Sequence, residues 1–230
     1  TTTSFKPFEE ALTVSNAASF EGGVVGRDSL AVAQGMNLAN TTASSPTPVA
    51  ELAGVRVTVA GRPALLNFVS PTQVNFTVRE DAKPAELVEV TVNNNGTTSR
   101  GRVRVADGAP GVFTISGDGN GEARVQCGRV NADGTTTFTA PPCAVGTEAA
   151  PNLIRVFGTG WRNAEFVGLR IGDVDLTLTF FGGLDTQGVD IIDAKLVPAL
   201  AGKTDVDVIV KTTVGTTARD SKAGVKVSFQ

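Results

Sequence analysis

The strongest constraint on the fold is an internal duplication. Val55-Arg-Val-Thr-Val59 ahead of a turn at Gly61, and Asn95-Gly-Thr-Thr-Ser-Arg100 leading into Val103-Arg-Val105, come back as Leu169-Arg-Ile171, Val214-Gly-Thr-Thr-Ala-Arg219 and Val225-Lys-Val227. Leu30-Ala-Val-Ala-Gln-Gly35 is answered in the same way by Leu153-Ile-Arg-Val-Phe-Gly158. Each copy has the roughly one hundred residues of an immunoglobulin-like sandwich, so the repeat predicts an all-β chain of two tandem immunoglobulin-like antiparallel sandwiches. The boundary falls at the Gly- and Pro-containing stretch Ala106-Asp-Gly-Ala-Pro110. Residues 1–107, with an N-terminal arm at 1–13, form the first domain, and residues 108–230 form the second, which carries a hairpin over 127–143.

Period-two alternation supplies the strands. It predicts strands at 55–59, 65–69, 74–78, 87–92 and 102–105, then at 153–157, 167–171, 176–181, 189–194, 206–211 and 224–229. Leu176-Thr-Leu-Thr-Phe180 and Asp205-Val-Asp-Val208 place apolar and polar side chains on opposite faces, as a half-wet antiparallel sheet requires. The Thr-, Ser- and Pro-rich stretch 38–48 reads as a long surface loop with a shorter counterpart after Trp161, and Trp161 is expected to pack over the edge of its domain.

The charge balance, 20 basic against 23 acidic residues, is interspersed and gives no footprint for nucleic acid or an anionic membrane. No apolar run approaches the length of a membrane span. The chain begins Thr1-Thr-Thr-Ser-Phe-Lys-Pro-Phe8 without a basic-then-apolar leader, as a processed secreted protein would, although a trimmed chain would look the same. Cys127 and Cys143, the two cysteines, flank a turn at Asn131-Ala-Asp-Gly134 that predicts a disulfide stapling a hairpin. That bond points to an oxidising compartment, hence to secretion or the cell surface.

Val14-Ser-Asn-Ala-Ala-Ser-Phe20, Gly35-Met-Asn-Leu38, Val57-Thr-Val-Ala-Gly-Arg-Pro-Ala64, Val69-Ser-Pro-Thr-Gln-Val-Asn75 and Ala109-Pro-Gly-Val-Phe-Thr114 carry a further pattern, matched in the second half by Gly158-Thr-Gly160. In these segments the chain resembles an uncharacterised C-terminal domain family of Solibacter-type acidobacterial extracellular proteins. The resemblance runs from about residue 12 to the end. It implies an exported tandem of IPT/TIG-like immunoglobulin folds without an assigned activity.

The chain has no histidine, which removes Ser-His-Asp and Cys-His catalysis and His-based metal sites. Two carboxylates suffice for glycoside hydrolysis, and Glu165, Asp173, Asp175 and Asp185 are the candidates, with a solvated surface as the simpler reading of all four. Gly117-Asp-Gly-Asn-Gly-Glu122 alternates oxygen-bearing side chains with glycines but is too short for a calcium loop, so a Gly-rich hairpin turn is expected. Asn40, Asn75 and Asn95 fit the glycosylation triplet, a pattern frequent by chance in Thr-rich chains. No catalytic residue, metal or other cofactor is expected.

The N-terminal arm has two readings. Thr3–Phe8 is either the first strand of its own domain, equivalent to 111–115 in the second copy, or an intersubunit strand, with Thr3, Ser4, Phe5, Lys6, Pro7 and Phe8 adding to a neighbouring sheet. The second reading makes the chain a structural protein of the cell exterior that polymerises with itself. An adhesive or carbohydrate-binding module is the alternative, although one Trp and no Tyr leave few rings to stack on sugars.

Overall fold

A computed structural model describes residues 11–185 and 187–230. The chain folds into two immunoglobulin-like sandwiches of mainly antiparallel sheets. In the first, one sheet has the strand order Leu12–Asn16, Leu30–Gly35, Gln73–Thr77, Leu65–Val69, Ala43–Val49. The facing sheet has the order Val24–Gly26, Thr97–Ala106, Ala85–Asn94, Val55–Val59, Arg62–Pro63, and its one parallel pairing joins Val24–Gly26 to Arg104–Ala106. Side chains that alternate inward along these strands, among them Val14, Val57, Leu66, Phe76, Val90 and Val103, close the first core. The long hairpin between the third and second strands of the facing sheet turns at Asn95 (φ 49°) and Gly96 (φ 97°). Asn-Gly suits that place because both turn residues need positive φ.

The second sandwich repeats this order in one sheet, while its other sheet gains a hairpin and, among the described residues, has no counterpart of Ala43–Val49. The latter runs Thr136–Thr139, Val125–Val130, Leu153–Thr159, Asp190–Lys195, Leu178–Gly183, with Gly111–Val112 also pairing Leu153–Thr159. The other runs Gly121–Glu122, Val225–Val227, Val206–Val214, Phe166–Ile171, Val174–Leu176, with Thr217–Asp220 on Val206–Val214. Ile154, Val156, Trp161, Leu169, Ile192 and Val208 lie in its core. Strands of the first two sheets end at Ala106, and those of the other two begin at Gly111.

Three expectations are corrected. The predicted strand 176–181 is two strands, because the chain crosses at Thr177 from the sheet of Val174–Leu176 to the opposite sheet at Leu178–Gly183. The stretch read as a surface loop holds the strand Ala43–Val49, paired to Leu65–Val69 through Ala43–Val69, Ser44–Phe68 and Val49–Leu66. Pro46 and Pro48 are tolerated there because the strand lies at a sheet edge, where a missing N–H leaves no ladder bond unmade. Trp161 is fully buried rather than draped over an edge. Gly158 makes the room, since a Cβ at that position would stand 2.4 Å from the indole ring.

Leu12 pairs with Gly35 as Val112 pairs with Gly158, so the strand Leu12–Asn16 already holds the place that Gly111–Val112 holds in the second copy. The reading of Thr3–Phe8 as a first strand equivalent to 111–115 falls on residues outside those described. The intersubunit reading of Thr3–Phe8 lies outside the described residues as well.

Cys127 and Cys143 are disulfide-bonded, but not simply as a hairpin staple. Val125–Val130 and Thr136–Thr139 do form a hairpin around Asn131–Gly134, in which Cys127 faces Thr139. Cys143 lies beyond it and bridges Phe229, past the last strand of the opposite sheet, while its carbonyl accepts from the Gln230 N–H. The bond thus ties one sheet to the C-terminal end of the other. For its sequence separation of 16, loop-closure entropy assigns about 3 kcal/mol. Urea titration with and without reductant is expected to show a loss of that order, and coincident curves would contradict it.

Candidate functional site

Two places stand out once the copies are superposed by topology. The first is the junction between the domains. Leu30 N–H donates to Thr159 Oγ1 (2.8 Å), whose hydroxyl donates to the Gly188 carbonyl (2.5 Å). Asn16 Nδ2 donates to the Ala109 carbonyl (2.9 Å), Asn163 Nδ2 to the Arg27 carbonyl (2.9 Å) and Thr77 Oγ1 to the Gln187 carbonyl (3.1 Å). The backbones touch closely enough that a Cβ on Gly188 would sit 2.7 Å from the Leu30 nitrogen. Short polar side chains aimed at the other domain's backbone fix orientation, because each leaves an unmade bond if the domains swing.

Asp190 anchors this junction from within the second domain. Its fully buried carboxylate accepts from the Trp161 N–H (2.8 Å), the Arg162 N–H (3.2 Å) and Arg162 Nε. Arg162 also reaches Asp28 of the first domain (3.2 Å) and the carbonyls of Asp185 and Val189. Burial pushes the Asp190 carboxyl upward, while the Arg162 charge and the two backbone N–H groups pull it down. All three partners donate, so the arrangement suits the carboxylate.

The second place is an uncovered edge. In the first domain, the strand Leu65–Val69 is covered on its outer side by Ala43–Val49. Its counterpart in the second domain, Leu178–Gly183, ends its sheet, and among the described residues no strand pairs its outer side. The reason lies in chain length: residues 36–54 link the equivalent strands in the first copy and contain the covering strand, whereas only 160–165 link them in the second. Each other strand of the first domain has a counterpart in the second.

The uncovered edge borders a groove of about 730 Å³ lined by Phe166, Val167, Leu169, Leu176, Leu178 and Phe180. Phe166 is 62% exposed and Phe180 47%, with Phe181 also exposed. Glu165, Asp175 and Lys211 complete the rim. Natural edges are blunted with charges or proline, as Arg62–Pro63 and Ala43–Val49 are in the first domain. Leu178-Thr-Phe-Phe-Gly-Gly183 has neither.

Of the carboxylate candidates, Glu165 and Asp175 share the groove's rim, whereas Asp173 and Asp185 do not line it. Asp175 is bound by Arg170 (2.6 Å), Glu165 accepts from the Gly215 N–H, Asp185 accepts from the Gln187 N–H, and Asp173 is exposed. They form no buried pair. Residues 117–122 make the expected turn, with Ser116 and the Asn120 N–H on the Asp118 carboxylate, and among the described residues no group of three metal-ligating side chains gathers. Asn75 lies within a paired strand, Asn95 is in a hairpin turn, and Asn40 accepts from Asn94.

Hydrogen bonds lower the carboxyls of Asp175 (from Arg170), Asp133 (from Thr135) and Asp207 (from Lys226). A depressed folded-state carboxyl stabilises above its unfolded value near 3.9 and loses that contribution as pH falls through the folded value. Thermal midpoints are expected to hold down to about pH 5 and then to decline below about pH 4. A midpoint that rises on acidification in that window would contradict the assignment.

No family model and no curated protein matches the chain. Among solved structures it is similar to a tandem of titin immunoglobulin domains, at 11% identity over 96% of this chain and 97% of that one, with a TM-score of 0.27. It is similar to another titin tandem at 9% identity over 95% and 66%, with a TM-score of 0.24. An auxiliary nutrient binding protein from Bacteroides ovatus shows 14% identity over 93% of this chain and 46% of that one, with a TM-score of 0.27.

Proposed function

We propose that the chain is a non-enzymatic structural protein of the cell exterior whose subunits join by β-strand addition into filaments. The observation that carries this reading is the edge Leu178–Gly183, which among the described residues lacks the covering strand present in the first domain and carries exposed phenylalanines instead of charge or proline. An unpaired edge beside an apolar groove is the acceptor geometry of strand addition: the backbone supplies the hydrogen bonds and the groove takes alternate side chains. The cross-domain hydrogen bonds suit a spacer that transmits orientation from one end to the other. The disulfide fits an oxidising compartment. Resemblance to Solibacter-type extracellular domains agrees with that setting.

Light scattering and negative-stain imaging of the purified chain over a range of concentrations test the reading. Elongated polymers are expected. Particles that stay at 23.6 kDa at every concentration would count against it. A second reading, an adhesive or carbohydrate-binding module, draws on the same exposed Phe166, Phe180 and Phe181, since rings lining an open groove can stack on sugar faces. Chemical-shift changes confined to that groove on adding oligosaccharides would favour it.

A further inference from the structure

We infer that the strand missing from the second domain is supplied by residues 2–8 of a second copy of this chain, seated along Leu178–Gly183. The inference rests on the filament reading and names its donor and its acceptor.

The duplication itself shows what belongs on this edge. In the first domain the equivalent place is taken by Ala43-Ser-Ser-Pro-Thr-Pro-Val49. Aligned without gaps, Thr2-Thr-Ser-Phe-Lys-Pro-Phe8 sets Ser4 on Ser45, Pro7 on Pro48 and an apolar Phe8 on Val49, with Thr3 on Ser44. Both segments are short and rich in hydroxyl side chains, and both bear a proline that suits an edge strand and no interior one. Where the first domain's strand has Pro46 the arm has Phe5, and the second domain offers a larger apolar groove with Leu176, Leu178 and Phe180 in its wall. Lys6 is the only charged side chain of residues 1–8, and two carboxylates, Glu165 and Asp175, stand on the groove's rim beside Lys211.

Reach assigns the acceptor to another molecule. The strand Leu12–Asn16 has its Asn16 end at the domain junction, where Asn16 bonds Ala109. Its Leu12 end pairs with Gly35, about 13 Å further away at 3.3 Å per residue. Ala11 is held there by its N–H on the Arg100 carbonyl. Only Glu9 and Glu10 separate the donor segment from Ala11, a reach of about 7–10 Å. The segment therefore starts at the end of the first domain that faces away from the second, too far to fold back onto its own molecule's uncovered edge. The equivalent edge of its own first domain is already filled by Ala43–Val49. Donor and acceptor are different surfaces on opposite parts of the chain, so the contact is head-to-tail, the heterologous kind that extends into an open filament when its rotation does not close a ring.

Two full-length variants test this, one with a spoiled donor (Phe5→Asp with Phe8→Asp) and one with a spoiled acceptor (Phe166→Asp with Phe180→Asp). Both acceptor sites are exposed in the isolated chain, so the substitutions spare the core, and unchanged Trp161 emission verifies folding of both. Neither variant alone is expected to polymerise. An equimolar mixture is expected to give dimers and nothing longer, because the spoiled-acceptor chain still donates to the intact edge of the other. If either variant polymerises as the unaltered chain does, the donor or acceptor assignment is overturned while filament formation stands. If the unaltered chain stays monomeric and its arm is instead protected along its own strand Thr97–Ala106, both the inference and the filament reading fail.

Discussion

Replacing Asp190 by Asn is expected to destabilise the second domain by about 3–5 kcal/mol, the range seen when one partner of a buried ion pair is removed. The carboxylate accepts from two backbone N–H groups and from Arg162 Nε, and its side chain has no exposure to solvent. An amide has one acceptor oxygen for those donors and turns an NH₂ toward one of them, while Arg162, whose side chain is 11% exposed, loses its main counter-charge. Asp28 is too peripheral a partner to replace it, at 3.2 Å and with 24% of its side chain exposed. Because Arg162 bridges to Asp28, the substitution is also expected to loosen the domain junction. Guanidinium titration followed by near-ultraviolet circular dichroism measures the first effect, and a loss below about 1 kcal/mol would show the pair to be no more than a surface ion pair.

The second large effect is at Trp161. Its indole is fully enclosed in the second core, donates from Nε1 to the Ile191 carbonyl (3.3 Å), and packs on the bare Cα of Gly158. Trp161→Ala removes that contact area and leaves a cavity, for which about 3–5 kcal/mol is expected. Gly158→Ala approaches the same site from the other side, since its methyl group would overlap the ring. Thermal unfolding followed in the far ultraviolet reads both variants. Near-native midpoints for both would mean that the indole lies at the surface, as the sequence alone suggests.

That contrast shows where the sequence is legible. The duplication fixes two sandwiches because equivalent strands carry equivalent alternation, and Val55–Val59 and Leu65–Val69 appear at their predicted bounds. Alternation fails where its cause is absent. Ala43–Val49 lies on an edge with both faces largely wet, so its Ser, Thr and Pro residues show no period and imitate a loop. Leu176 to Phe180 keeps a period of two while the chain changes sheets at Thr177, and periodicity does not record which sheet a strand joins.

The cysteine pairing is readable from spacing, yet its role between sheets depends on Phe229, distant in sequence. Asp190 leaves one signal in the sequence: a carboxylate heading the apolar run Ile191-Ile192 in a buried strand needs a partner. The uncovered edge leaves none in its own residues. It emerges only by comparing the two copies, since what marks it is the shortness of 160–165 against 36–54.

The claim that Leu178–Gly183 is an acceptor lacking its strand is tested most directly by amide hydrogen exchange at residues 178–183, in dilute and in concentrated solution. Amides on the outer side of this strand are expected to exchange rapidly when the chain is dilute and to become protected as it assembles. Those of Leu65–Val69, covered by Ala43–Val49, are expected to be protected throughout. Equal protection of the two strands at every concentration would contradict the account.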